Sequence, residues 1–343
     1  MPGVGAMNAT VLPAHSWRIN VDDAVAALSA APDGRIAVAG AEGSLVLLSA
    51  HGAIERRRDL SRGCLAVHWS PAGDRIAVGS IHGVDILDAE GMVLRSRRGG
   101  WCASVAWSAD GSRLAAAVGS AVMILDAEGN ELFSAERDST VTAVAWVNRR
   151  VATAAYGGVH VYHASPTAAP DILPFTGSLL ALAISPDRRW AASGNQDATL
   201  HVWRIGRGGD ELEMSGYPTK ISALEFSPDS ALLASGGGQD VTVWDFTGPG
   251  PRGRTPRILR AHEDTVTALA WSPHGDLLAA AGGDGQVAVW EPRRGRPGRP
   301  LAARDILGEQ APATAISWDV TGRLLAGWSD ATVVAHMPAP AGS

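Results

Sequence analysis

The chain has 343 residues, 46% of them hydrophobic and 19% charged, with a formal net charge of −6. That mild acidity argues against general nucleic-acid binding, which needs a basic surface to neutralise phosphates; two cysteines exclude a disulfide framework. No run approaches the roughly 18 apolar residues of a membrane span. The first twenty residues lack a basic stretch followed by an apolar core, so no secretory signal is evident and a cytoplasmic location is the expectation.

In chain order, residues 1–15 form an expected flexible leader. Ser16-Trp17-Arg18-Ile19-Asn20-Val21 then alternates apolar and polar residues, the pattern of a half-buried strand. A repeating unit follows. Leu65-Ala-Val-His-Trp-Ser-Pro-Ala-Gly-Asp-Arg-Ile-Ala77 returns almost verbatim as Thr267-Ala-Leu-Ala-Trp-Ser-Pro-His-Gly-Asp-Leu-Leu-Ala279. The alanine opening the second strand of each unit marks the period: Ala37, Ala77, Ala115, Ala152, Ala191, Ala234, Ala279 and Ala326 lie 37 to 47 residues apart. Eight units at that spacing are the signature of propeller blades.

Each unit contains three predicted strands, a, b and c, with a fourth, d, after c. Strand a carries a small residue, an aliphatic one, then usually Trp or Phe, as at Trp69, Trp107, Trp146, Phe226, Trp271 and Trp318. A Ser-Pro-x-Gly turn often follows, in which Pro presets φ and Gly tolerates a positive one. Strand c alternates, as in Thr199-Leu-His-Val-Trp203 and Gln286-Val-Ala-Val-Trp290. In early units strand d is reached through the hairpins Asp88-Ala-Glu-Gly91 and Asp126-Ala-Glu-Gly129. His160, His163 and His201, at strand-c positions of units four and five, are expected at the surface.

These residues carry a specific likeness. The chain resembles the WD40-repeat family over roughly residues 16–337, although at the end of strand c only Trp244-Asp245 preserves the Trp-Asp pair. Family members usually link a loop His, a strand-b Ser or Thr, a turn Asp and the strand-c Trp. Unit seven keeps His262, Asp284 and Trp290 but has Ala280 at the hydroxyl position; unit five keeps Ser193, Asp197 and Trp203 without the His. The expected fold is therefore all-β, a single eight-bladed WD40-like propeller, with seven blades and one irregular unit as the alternative. After the last unit only a short proline-rich segment remains, with residues 338–343 an expected flexible tail. The strand at Trp17 is thus expected to complete blade eight and close the ring.

Two columns of strand a bear on function. The first, Ala27, Ala66, Ser104, Ala143, Ala181, Ala223, Ala268 and Ala315, is small throughout, as crowding near the axis requires. The second lies two residues on and shares its face: Ser29, His68, Ala106, Ala145, Ala183, Glu225, Ala270 and Ser317. His68 and Glu225, in opposite blades, are candidate channel-lining groups together with Ser29 and Ser317, but one His and one Glu make no complete metal set. Cys64 and Cys102 open strand a in units two and three and suit small buried hydrophobes.

Two long c–d connections, in units six and seven, gather Arg252, Arg254, Arg257, Arg293, Arg294, Arg296 and Arg299 on one face. Guanidinium groups suit carboxylates and phosphates, so an acidic partner could dock there; mobile solvated loops are the competing reading. Gly248-Pro-Gly-Pro-Arg-Gly253 matches a phosphate-loop pattern formally, but its prolines remove the amides that would cradle phosphate. Trp101 is a candidate exposed anchor, with core packing as its alternative. No nucleophile, metal or cofactor motif is present. The resemblance implies a non-enzymatic scaffold for protein partners; the competing class is an enzyme or metal-handling propeller with a channel site near His68 and Glu225.

Overall fold

Short β-branched and alanine-rich runs, interrupted by Asp, Gly and Pro, form strands too brief for anything but tight antiparallel meanders. The computed structural model describes residues 16–163, 168–206 and 211–339. It contains eight separate sheets, seven of four strands and one of five. Strand a of each blade touches strand a of the next through all eight steps, including Ala313–Trp318 against Val25–Ala30, so the ring is closed. The expected leader at 1–15 lies outside the described residues, as do residues 340–343 of the expected tail.

Closure follows the expected route. Trp17–Asn20 pairs antiparallel with Thr332–His336, bringing Trp17 opposite Ala335 and Asn20 opposite Thr332. Trp17 and Ile19 pack on a core shared by blades eight and one, containing Val25, Val38, Val333 and Ala335. The Trp17 indole donates to the Ala50 carbonyl at 3.1 Å, in the c–d turn of blade one. Its ring lies so close to Gly52, which has φ +81°, that a Cβ there would sit 2.5 Å away. Arg18 reaches the other neighbour, gripping both carboxylate oxygens of Glu309 at 2.9 and 3.0 Å.

Between sheets the strand-a tryptophans repeat one contact. The indole N–H of Trp107, Trp146, Trp271 and Trp318 donates to the carbonyl of His68, Ala106, Glu225 and Ala270 respectively, each in the preceding blade, at 2.8–3.1 Å. The a–b turns form a second repeating feature. Their left-handed position is occupied by Gly34, Gly73, Gly111, Asn148, Arg188, Ser230, Gly275 and Gly322, with φ between 60° and 88°. A Cβ on Gly73, Gly111 or Gly275 would lie 3.4, 3.6 or 3.1 Å from Pro32, Pro71 or Pro228 of the preceding turn. At these three steps each turn is thus stacked on the one before.

Of the hydrogen-bonded relay implied by the resemblance, blade six joins three of the four members among the described residues, with a substitute for the His and no Asp bonded to it. Trp244 donates its indole N–H to Tyr217 Oη at 2.8 Å, and that hydroxyl lies 2.7 Å from Ser235 Oγ. Tyr217 stands there in the role that the resemblance implies for a loop His. In blade seven His262 Nδ1 meets Asp284 at 3.2 Å, but His262 Nε2 and Trp290 Nε1 are buried without partners among the described residues. Ala280, opposite Ala288, occupies the position that Ser235 holds opposite Thr242. Other histidines depart from expectation. His201 is buried, with its ring 4.6 Å from Trp203 and 5.2 Å from Phe175, and His160 is half-buried; neither is a free surface group.

Two predictions follow from this geometry. Deleting residues 1–22 bares the edge of Thr332–His336 and opens the blade-eight core; the protein should aggregate or elute as oligomers in size-exclusion chromatography. Conversely, Ala280→Ser supplies the missing hydroxyl between His262 and Trp290 and should add about 1 kcal/mol in denaturant unfolding. A loss of stability would show that the site has no room for the relay.

Candidate functional site

Among the second-column residues, Ser29 does not line open space: it is buried, and its Oγ accepts the Trp69 backbone N–H at 3.0 Å. Glu225 makes the same sideways reach, its Oε2 accepting the Trp271 backbone N–H at 2.9 Å. Both polar chains are drawn into the seam with the next blade. Ser317 is half-buried, and His68 is the one exposed residue of its strand, Cys64–Trp69. Protein surrounding the opening holds the His68 imidazole below its ordinary pKa. Desolvation drives Glu225 the other way, up to about 8 despite the Trp271 bond.

Cys64 and Cys102 are buried free thiols, each pushed up to about 12 chiefly by desolvation, so neither is an ionised nucleophile at neutral pH. His160, held down to about 4 by burial and then by Arg137, is neutral as well. Among the described residues no group of three His, Cys, Asp or Glu is arranged to hold a metal ion.

The arginine-rich connections are ordered against one another. Pro300–Ala302 adds a parallel fifth strand to blade six, pairing with Arg257–Arg260, and Gly298 N–H donates to the Pro256 carbonyl at 2.9 Å. That addition had no sequence signal beyond the length of the connection. Most of the arginines are also occupied. Arg254 is paired with Asp245 and bonded to Thr247; Arg257 donates to the Gly295 carbonyl at 3.1 Å. Arg293 meets Asp229, Arg294 meets Glu291 at 2.7 Å, and Arg252 reaches the Glu211 carbonyl at 3.3 Å. Arg296 and Arg299 are exposed and carry no ion pair among the described residues.

On the opposite face, where b–c and d–a connections emerge, Trp101 is 66% exposed. Core packing is therefore not its role. Its carbonyl accepts the Gly119 N–H at 2.8 Å, fixing the residue beside the b–c turn of blade three. One blade on, Tyr156 is 59% exposed in the corresponding turn, with its backbone N–H held by Ser139 Oγ at 3.0 Å. Sequence reasoning passed over Tyr156, although a tyrosine before Gly157-Gly158 in a b–c turn has little to pack against.

A family model described as "WD domain, G-beta repeat" matches residues 172–204, 211–245 and 253–291, the stretch running from strand d of blade four to strand c of blade seven. Coronin-7 of Mus musculus is 36% identical over 114 residues, covering 31% of this chain and 12% of that protein. Coronin-7 of Homo sapiens is 32% identical over 140 residues, covering 38% and 15%. The matched stretch is thus a small fraction of those relatives' length. Among solved structures, Sqt1 from Chaetomium thermophilum superposes with a TM-score of 0.79 at 20% identity, covering 94% of this chain and 98% of that one. The C-terminal WD40 domain of Sif2 gives 0.77 at 17%, covering 94% and 99%. At such identities the likeness is one of fold.

The raised pKa of Glu225 has a testable sign. Its ionisation is disfavoured in the folded state, so its stabilising contribution is complete below the ordinary carboxyl value and lost as pH rises through about 8. Glu225→Gln keeps the acceptor for Trp271. The variant should match the native protein in thermal melts at pH 4 and exceed it by several degrees at pH 9; equal melts at pH 9 would remove the assignment.

Proposed function

The chain belongs to the WD40-repeat β-propeller family, and on that premise we propose that it is a non-enzymatic platform holding a protein partner on the Trp101 face. The observation carrying this reading is a tryptophan two-thirds exposed on a fixed turn, one blade from an exposed tyrosine. Exposed aromatics on a rigid frame are the side chains that most often dominate binding energy, because they bring large area at little entropic loss. Propellers of this family typically serve as protein-interaction scaffolds, which supports the class of function.

The arginine connections enter this reading in reduced form. Arg252, Arg254, Arg257, Arg293 and Arg294 are engaged within the protein, so the charge available to an acidic partner there is that of Arg296 and Arg299. The enzyme alternative draws little support: Glu225 is spent on Trp271, and among the described residues His68 has no acidic neighbour bonded to it. His68 and Ser317 stay in the proposal as groups bordering the axial opening. A cytoplasmic setting suits two free buried thiols. Among the described residues no helix is long and apolar enough to cross a membrane.

The test is affinity capture with the intact protein, Trp101→Ala, and Arg296→Ser combined with Arg299→Ser. Trp101→Ala should lower retention of the principal partner about thirtyfold, corresponding to roughly 2 kcal/mol. The arginine pair should alter mainly the salt dependence. Both variants should melt as the native protein does, since the residues are exposed. Undiminished capture by both would overturn the assignment of these faces.

A further inference from the structure

The a–b turn of blade four is shorter than those of the blades on either side. In blade three Trp107 pairs with Leu114, but in blade four Trp146 pairs with Val151, so the connection there is two residues shorter. Val147 pairs directly with Arg150, leaving Asn148-Arg149 as the whole loop. Blade four thus has no Ser-Pro-x-Gly turn to fill the space between its neighbours. A cleft of about 310 Å³ opens there, walled by Ser108, Asp110 and Arg113 of blade three and by Arg188 of blade five, over Trp146 and Arg149.

Three arginines from three successive blades meet this cleft. None of the Arg113, Arg149 or Arg188 side chains has a hydrogen bond or ion pair among the described residues, unlike most arginines of the long connections. Arg188 also holds the left-handed turn position, φ 62°, where five of the eight blades have glycine. A long side chain is kept there against backbone preference. Asp110 supplies one fixed negative charge. Its Oδ1 accepts the hydroxyls of Ser108 and Ser112 at 2.6 and 2.8 Å and the Ser112 N–H at 3.1 Å, which holds its carboxyl down to about 2. The Trp146 indole N–H is spent on the Ala106 carbonyl, leaving its ring as an apolar wall.

The local charge is therefore three positive against one negative, an excess of two in a concave site. We propose that this cleft binds a phosphate monoester presented on a side chain of a partner protein. A dianion matches the excess charge, which a lone carboxylate would leave half-compensated. Three guanidiniums approaching from separate turns suit a tetrahedral group with three outer oxygens better than a planar one. The remaining volume accommodates the ester's carbon stem against Trp146.

A phosphoserine peptide flanked by two glycines on each side, titrated with the full-length protein at fixed ionic strength, tests this by ³¹P line broadening. The native protein should bind it saturably, and Arg149→Ser with Arg188→Ser should weaken binding at least tenfold. Arg188→Gly serves as the second variant: it should raise the melting temperature by relieving the turn and still weaken the peptide. Trp101→Ala should bind the peptide as the native protein does, which separates this site from the aromatic face. No saturable binding, or native binding by both arginine variants, overturns the site. Equal competition by a Gly-Gly-Asp-Gly-Gly peptide overturns the phosphate assignment; inorganic phosphate binding as tightly as the peptide overturns presentation on a partner side chain.

Discussion

The pairing of Trp17–Asn20 with Thr332–His336 is the constraint on which the rest of the molecule depends. Without it the circle of strand-a contacts would still leave blade eight only three strands wide, with Thr332–His336 as a bare outer edge. With it, Trp17 and Arg18 tie blade eight to both neighbours, through Ala50 and Glu309. Closure turns eight marginal sheets, none able to bury its own faces, into one frame in which each blade covers the next. The tryptophan-to-carbonyl contacts extend that logic around the ring, fixing the relative height of adjacent strands a. Only on such a frame does the identity of a turn residue have a definite position in space.

Much of this was legible in the residues. The alanine period, the strand-a tryptophans and the alternation at Trp17 are local patterns, and local patterns of period two translate directly into faces of strands. What escaped was non-local. The run of arginines after Trp244 and Trp290 announced charge, but nothing adjacent announced that Asp229, 64 residues before Arg293, would neutralise part of it. The fifth strand at Pro300–Ala302 likewise exists only because two connections lie side by side. Ser29 and Glu225 were assigned to the correct column, yet their side chains satisfy a neighbouring backbone N–H instead of facing open space. The unpaired N–H of an adjacent strand is invisible in one strand's alternation. Tyr217 was missed because the link it makes between Ser235 and Trp244 in blade six was sought as a histidine.

The arginines show how poorly composition locates charge. Those concentrated in sequence at 252–257 and 293–299 are mostly compensated in space, whereas Arg113, Arg149 and Arg188, spread over three units, converge beside a shortened turn. In a repeat protein, departures from the repeat carry more information than the repeat. The stacking of Pro32, Pro71 and Pro228 on following glycines is what makes the interruption at blade four visible.

Closure by the two extremes of the fold also sets a schedule for biosynthesis. Arg18 and Thr332 are 314 positions apart, so within the ring the strand made first waits for the strand made last. At about 5–20 residues per second, that interval is on the order of 15–60 s. During it blades one to seven can form in order, each on the one before, while Trp17 and Ile19 have no sheet to join. The growing ring therefore carries an unmatched first strand and an open edge at its newest blade, either of which could pair with a neighbouring copy on the same messenger. A ring that is robust once shut is, by the same design, most exposed just before its own last strand is made.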